Sequence, residues 1–122
     1  MFRLILKSYI LLLLTNIRLR FSGLQALTAA IHREPTSSTK RQAPAELCYA
    51  MDMACVFYPR RVLCLQRSAA ATLLLRQHGH PAEMVVGVQV LPFRSHAWVE
   101  LDHTVVNDKP YMLDIYRPIE RY

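Results

Sequence analysis

Cys64, His96 and Asp108 are the residues of this chain whose types fit one reaction: a thiol nucleophile, a base to serve it and a carboxylate to hold the base. Cys64 opens a stretch rich in Ala and Leu that reads as a helix, so its sulfur lies at a helix N-terminus. His96 and Asp108 fall on two short strands, His96 to Glu100 and Thr104 to Asp108, joined by a tight turn. Turn length decides whether the pair can meet. A three-residue loop, Leu101-Asp102-His103, sets His96 directly opposite Asp108, with Cβ atoms about 4.5–5.5 Å apart. A two-residue loop, Asp102-His103, sets His96 opposite Lys109 and turns Asp108 to the other face. A working triad on paired strands therefore requires the longer loop, with His103 in the left-handed conformation that histidine tolerates better than most residues.

Magnitudes assign the activation of the sulfur. A helix N-terminus contributes about 0.3–1 kcal/mol towards a negative charge, and one pKa unit is about 1.4 kcal/mol. The dipole alone moves a thiol by less than a unit. For a thiol of ordinary value, about 8.5, to be mostly thiolate at neutral pH, an imidazolium must stand beside it. That role falls to His96, with Asp108 orienting the ring and stabilising its charged form. Taken alone, Cys64 reads as a buried structural thiol. Cys48 and Cys55, seven apart on one predicted helix, read as small buried hydrophobes. No zinc pattern fits the cysteine gaps of seven and nine, and His78-Gly79-His80 has no Cys-x-x-Cys or His-x-x-x-His spacing with it, so no metal site is expected.

The elements that must position these groups follow from pattern. Pro44 suits a first helical position, and Leu47, Ala50, Met51 and Ala54 repeat at three and four, which predicts a helix over Ala45 to Tyr58. A second runs from about Cys64 to His78 and stops at Gly79. Ala82 to Val90, apolar on both faces at Met84 to Val88, reads as a central strand. Ahead of these, Glu34 to Pro44 has two prolines and no apolar periodicity, the mark of a linker. The expected division is a basic N-terminal helix and linker over 1–44 and a catalytic core over 45–122.

Charge separates the same two parts. Residues 1–45 hold seven of the 15 Lys and Arg and only one acid, Glu34, while residues 46–122 hold eight of each sign. The predicted N-terminal helix, about Leu4 to Leu27, has three uses open to it: packing its Leu/Ile face on the domain, touching anionic lipid, or docking a partner. Its run Tyr9 to Leu14 is six apolar residues, short of the roughly 20 of a membrane span and of the 7–15 or so of a signal-peptide core. With 122 residues, 52% of them hydrophobic, the chain has room for one domain and one core. Three cysteines cannot all pair, so neither a disulfide scaffold nor an oxidising compartment is expected; the setting is the cytoplasm.

Several motifs in fixed order carry a resemblance. Arg61-Val62-Leu63-Cys64-Leu65-Gln66-Arg67-Ser68, Pro81-Ala82-Glu83 with Gly87-Val88, Phe93 with His96-Ala97-Trp98-Val99-Glu100, and Val106-Asn107-Asp108 are similar to the stand-alone leader peptidases of lasso peptide biosynthesis, the B2 proteins. These are transglutaminase-like cysteine proteases. The resemblance covers about Arg61 to Asp108, with 32 residues from Cys to His and 12 from His to Asp. It implies an α+β fold: a transglutaminase/papain-like core, the catalytic Cys at a helix N-terminus on a small antiparallel sheet, with helices in front.

The resemblance further implies Cys64 as nucleophile, His96 as general base and acid, and Asp108 as the orienting acid. Gln66 and Trp98 become candidate substrate-binding residues, with packing or solvated roles standing beside that reading. Where the family commonly has Asp-Gly at the hairpin turn, this chain has Asp102-His103. The implied reaction removes a leader from a ribosomally made precursor peptide without metal or cofactor. Fused relatives carry a leader-recognition domain for which 122 residues leave no space, so a separate recognition (B1-type) protein is the expected partner, followed by an ATP-dependent lasso cyclase. Two other function classes stand against this: a transglutaminase-like acyltransferase, and a non-catalytic basic module. Against nucleic acid as a partner stand 9% aromatics and the lack of any recognisable binding motif.

Overall fold

The computed structural model describes residues 1–122 and is α+β, with three long helices on one face of a four-stranded sheet and one short helix on the other. The first helix, α1 (Phe2–Arg33), is longer than its periodicity predicts. Leu4, Ser8, Leu11, Leu12 and Thr15 form its buried stripe at helical spacing. At Gly23 the backbone leaves the helix (φ +81°, ψ −179°), a conformation open to glycine. That break redirects the last turns so that Leu27 and Ile31 also reach the core.

Helices α2 (Pro44–Phe57) and α3 (Cys64–Gln77) begin and end within a residue or so of the predicted bounds. Pro44 starts the first of them, as its missing N–H allows. Leu4, Leu12, Leu27 and Ile31 of α1 share one apolar cluster with Leu47 and Met51 of α2, Leu74 and Leu75 of α3, and Met84 and Val99 of the sheet. The N-terminal helix is thus packed as part of the same core. The expected linker is irregular yet pinned: Ser37 N–H donates to Arg76 O at 2.9 Å and Arg41 N–H to His78 O at 2.9 Å. His78 and His80 serve this joint. Their ring nitrogens lie 2.9 Å from the carbonyls of Leu74 and Gln42. A Cβ on Gly79 would come within 2.5 Å of Thr39 O, so the segment lies tight against the turn.

The strands β1 (Glu83–Gln89), β2 (Arg94–Leu101), β3 (Thr104–Val105) and β4 (Arg117–Arg121) form an antiparallel sheet in the order β3-β2-β1-β4. The short helix α4 (Met112–Ile115) packs Met112 with Val85 and Trp98 on the face away from the main cluster. Neither α4 nor β4 was expected. Pro118 reads as a strand breaker, and it is accommodated because β4 is an edge strand.

One side chain ties the layers together. Arg76 donates from Nε to Ala82 O at 2.8 Å, from Nη2 to Tyr122 O at 3.0 Å, and from Nη1 to Ile31 O, joining the end of α1, the entry to β1 and the residue after β4. Replacing Arg76 by Met leaves these carbonyls without their charged donor. The expected cost is about 3 kcal/mol or more, a fall of at least about 10 °C in Tm. Thermal unfolding followed by circular dichroism measures it; a shift of a degree or two would show that the three bonds contribute little.

Candidate active site

Cys64 is the first residue of α3, and its thiol is free and partly exposed. The first intrahelical bond runs from Arg67 N–H to Leu63 O at 3.1 Å, so the amides of Cys64, Leu65 and Gln66 have no partner inside the helix. Gln66 has a structural task here: its Oε1 accepts from Leu63 N–H at 3.0 Å and caps the helix.

His96 and Asp108 meet, by a route the sequence reading excluded. The turn is the two-residue one: Leu101 pairs with Thr104 and Glu100 with Val105, with positive φ at Asp102 (51°) and His103 (64°), as a type I′ turn requires. Regular pairing in that register would have faced Asp108 away from His96. It does not continue, because β3 is only two residues long. After Val106 N–H bonds to Val99 O at 3.0 Å, the side chain of Asn107 takes over the ladder, its Oδ1 accepting from Val99 N–H at 2.7 Å. The backbone is thereby freed to bend, and Asp108 turns back under His96. The distance from His96 Nε2 to Asp108 Oδ2 is 2.6 Å. A carboxylate only accepts, so the proton is on Nε2 and Nδ1 is left for a nucleophile or substrate.

Both partners are held. Burial pushes the Asp108 carboxyl up, but the hydrogen bonds from His96 and from Lys109 N–H (2.8 Å to Oδ1), with the charges of His96 and Arg67, outweigh it and hold the group below the usual carboxylate range. Arg67 stands between two acids, 3.7 Å from Asp108 Oδ2 and 3.8 Å from Asp52 Oδ1. The His96 ring packs against Tyr116, with centroids 5.2 Å apart, and Trp98, at 6.1 Å.

Trp98 is fully buried, which corrects its place among the substrate-binding candidates. Met112 and Tyr116 cover the indole and leave a substrate no access to it. Its Nε1–H donates to Glu100 Oε2 at 2.8 Å, and the other oxygen of Glu100 takes a 2.7 Å bond from Arg121. Trp98 is instead the wall behind His96. Gly87, paired with His96 across the strands, is the space that wall needs: a Cβ there would lie 2.6 Å from Trp98 Cη2 and 3.0 Å from Tyr116 Cβ. Gly87→Ala is expected to cost about 1–3 kcal/mol through overpacking, read as a lower urea midpoint. The variant is also expected to lose activity under conditions where it remains folded, because the displaced indole carries His96 with it. Unchanged activity in the folded variant would show that the wall does not set the histidine.

The thiol is linked to this pair through its own helix face. Arg67 and Ser68 follow Cys64 by three and four residues and so share its side of α3. Arg67 reaches Asp108. Ser68 Oγ donates to Ala97 O at 3.0 Å and accepts from Asn107 Nδ2 at 3.1 Å. Residues adjoining His96 and Asp108 are therefore fastened to the first turns of α3, although the thiol itself makes no hydrogen bond to His96. Asn107, Ser68, Arg67 and Tyr116 were not singled out as positioning groups from sequence. The signal available was the polar pair Ser68 and Asn107 beside two candidate catalytic residues. No three His, Cys, Asp or Glu side chains gather in a way that holds an ion.

Residues 11–121 match the family model described as the transglutaminase-like superfamily. The chain belongs to that superfamily. Among curated proteins it is similar to the microcin J25-processing protein McjB of Escherichia coli, at 43% identity over 51 residues. That stretch is 42% of this chain and 24% of the length of McjB. No solved structure matches the chain significantly. No helix is long and apolar enough to cross a membrane.

Proposed function

We propose that this superfamily member is a cysteine leader peptidase that cleaves a lasso peptide precursor in the cytoplasm through Cys64, His96 and Asp108. The observation that supports it most is the 2.6 Å His96–Asp108 bond, fastened by Ser68 and Asn107 to the helix that Cys64 heads. In this reading His96 Nδ1 takes the proton of Cys64, and the thiolate attacks the last carbonyl of the leader. The oxyanion is met by the unpartnered amides at the start of α3. His96 gives its proton to the leaving amine, and a thioester to Cys64 remains. Water, deprotonated by the same histidine, then releases the leader acid and restores the thiol. A separate leader-recognition (B1-type) protein delivers the precursor, and an ATP-dependent lasso cyclase takes the core.

Mixing the protein with recognition protein and precursor tests this, with mass spectrometry as the readout. Two fragments split by one water at the leader/core junction are expected. A product carrying a new isopeptide bond would instead make the chain an acyltransferase. Cutting that persists in the Cys64→Ala protein would overturn the assignment.

A further inference from the structure

Helix α1 carries a second apolar stripe beside its buried one. Leu6, Ile10, Leu13 and Ile17 are each 40% or more exposed and recur at helical spacing. Partway along, the stripe enters a cleft of about 620 Å3 between α1 and the segment joining α2 to α3. Leu13, Ile17 and Phe21 supply its apolar wall, and Phe21 is 77% exposed. Arg20, Arg60 and Arg61 supply its charge. No Asp or Glu lines the cleft, and none of the three arginines forms a salt bridge. Gln66 is at its edge, so the lining residues Arg61 and Gln66 bracket Cys64 in the chain.

A concave apolar wall with three guanidinium groups free of carboxylate partners, one of them (Arg20) lying over the Phe21 ring, has a definite complement: an extended chain bearing apolar side chains among carboxylates. A bilayer surface, flat on this scale, matches the exposed stripe but not the cleft. We propose that this cleft seats an acidic, apolar-bearing segment of the peptide substrate close to the bond that is cut. The inference rests on the peptidase reading and adds where the substrate lies and what chemistry it carries.

Fluorescence anisotropy with the full-length Cys64→Ala protein tests it. The probe is fluorescein-labelled Gly-Glu-Leu-Glu-Leu-Glu-Leu-Gly, beside one peptide with Lys for each Glu and another with Ser for each Leu. The Glu/Leu peptide is expected to bind, more weakly as salt rises, and both controls at least about tenfold less tightly. Arg60→Glu combined with Arg61→Glu is expected to lower affinity for the Glu/Leu peptide by about tenfold or more. Arg60→Gln with Arg61→Gln serves if the reversed charges unfold the protein. Equal binding of all three peptides, no binding at about 1 mM, or no effect of the arginine changes would overturn the proposal. So would binding to vesicles of phosphatidylserine and phosphatidylcholine without binding to the peptide. The peptidase reading is judged separately, by the dependence of Cys64 alkylation on His96 with the cleft unchanged, so failure of one leaves the other readable.

Discussion

Asp108→Asn is expected to lower kcat by roughly 10^4-fold while leaving the fold in place. The amide is the size of the carboxylate, but it offers only one acceptor oxygen and no charge. The amide can also present its NH2 to the ring, so the His96 tautomer is no longer fixed, and nothing offsets the charge the ring acquires when it takes a proton. Arg67, 3.7 Å from Asp108 Oδ2, is left paired to Asp52 alone. The same substitution has a signature in stability. The folded pKa of Asp108 is depressed, so its contribution to folding is present above the unfolded value of about 3.9 and is lost as pH falls through the folded one. Urea midpoints from pH 6 down to about pH 2.5 are expected to fall more steeply for the natural protein than for Asp108→Asn. Parallel curves would mean that the His96–Asp108 bond adds no free energy to the folded state.

Cys64→Ala carries the other large effect. Loss of the nucleophile is expected to remove at least about 10^4-fold of kcat, leaving what binding and the amides at the head of α3 supply. Stability is expected to change by less than about 0.5 kcal/mol, because the thiol is partly exposed and makes no hydrogen bond. Cys48→Ala reverses that contrast. Cys48 is buried in the main apolar cluster, so its truncation costs stability and leaves the chemistry intact. Cleavage kinetics and urea unfolding on the two variants separate them; a Cys64→Ala protein that unfolds more readily than Cys48→Ala would mark Cys64 as structural.

The parts of the molecule written most clearly in the sequence were those fixed by local rules. Pro44 and Gly79 bound α2 and α3, and the run Met84 to Val88 gave the central strand, because capping, chain breaking and periodicity act over a few residues. The hairpin shows where local rules stop. Its turn was read as three residues because His96 and Asp108 had to meet, and ideal pairing offered no other way. The chain instead keeps the tight turn and ends the strand early, with Asn107 replacing backbone in the ladder and Ser68, 39 residues earlier, holding Asn107. Such a bond has no sequence period to reveal it. The same holds for Arg76, whose three carbonyl partners come from distant segments, and for β4, whose Pro118 is tolerated only because nothing pairs outside it. Trp98 was misread for a related reason: adjacency to His96 on a strand gave its side but not its depth.

The central claim is that the head of α3 and the His96–Asp108 pair form one reactive centre, and competitive alkylation of the three cysteines tests it without any substrate. Burial pushes the Cys48 thiol up to about 11, with Asp52 adding to the rise, and burial raises Cys55 as well, so neither supplies much thiolate at neutral pH. In the folded protein at pH 7, iodoacetamide is expected to label Cys64 well before the other two, as read by peptide mass spectrometry, and His96→Ala is expected to slow that labelling by about tenfold or more. A Cys64 that reacts no faster than Cys55, or just as fast without His96, would contradict the account.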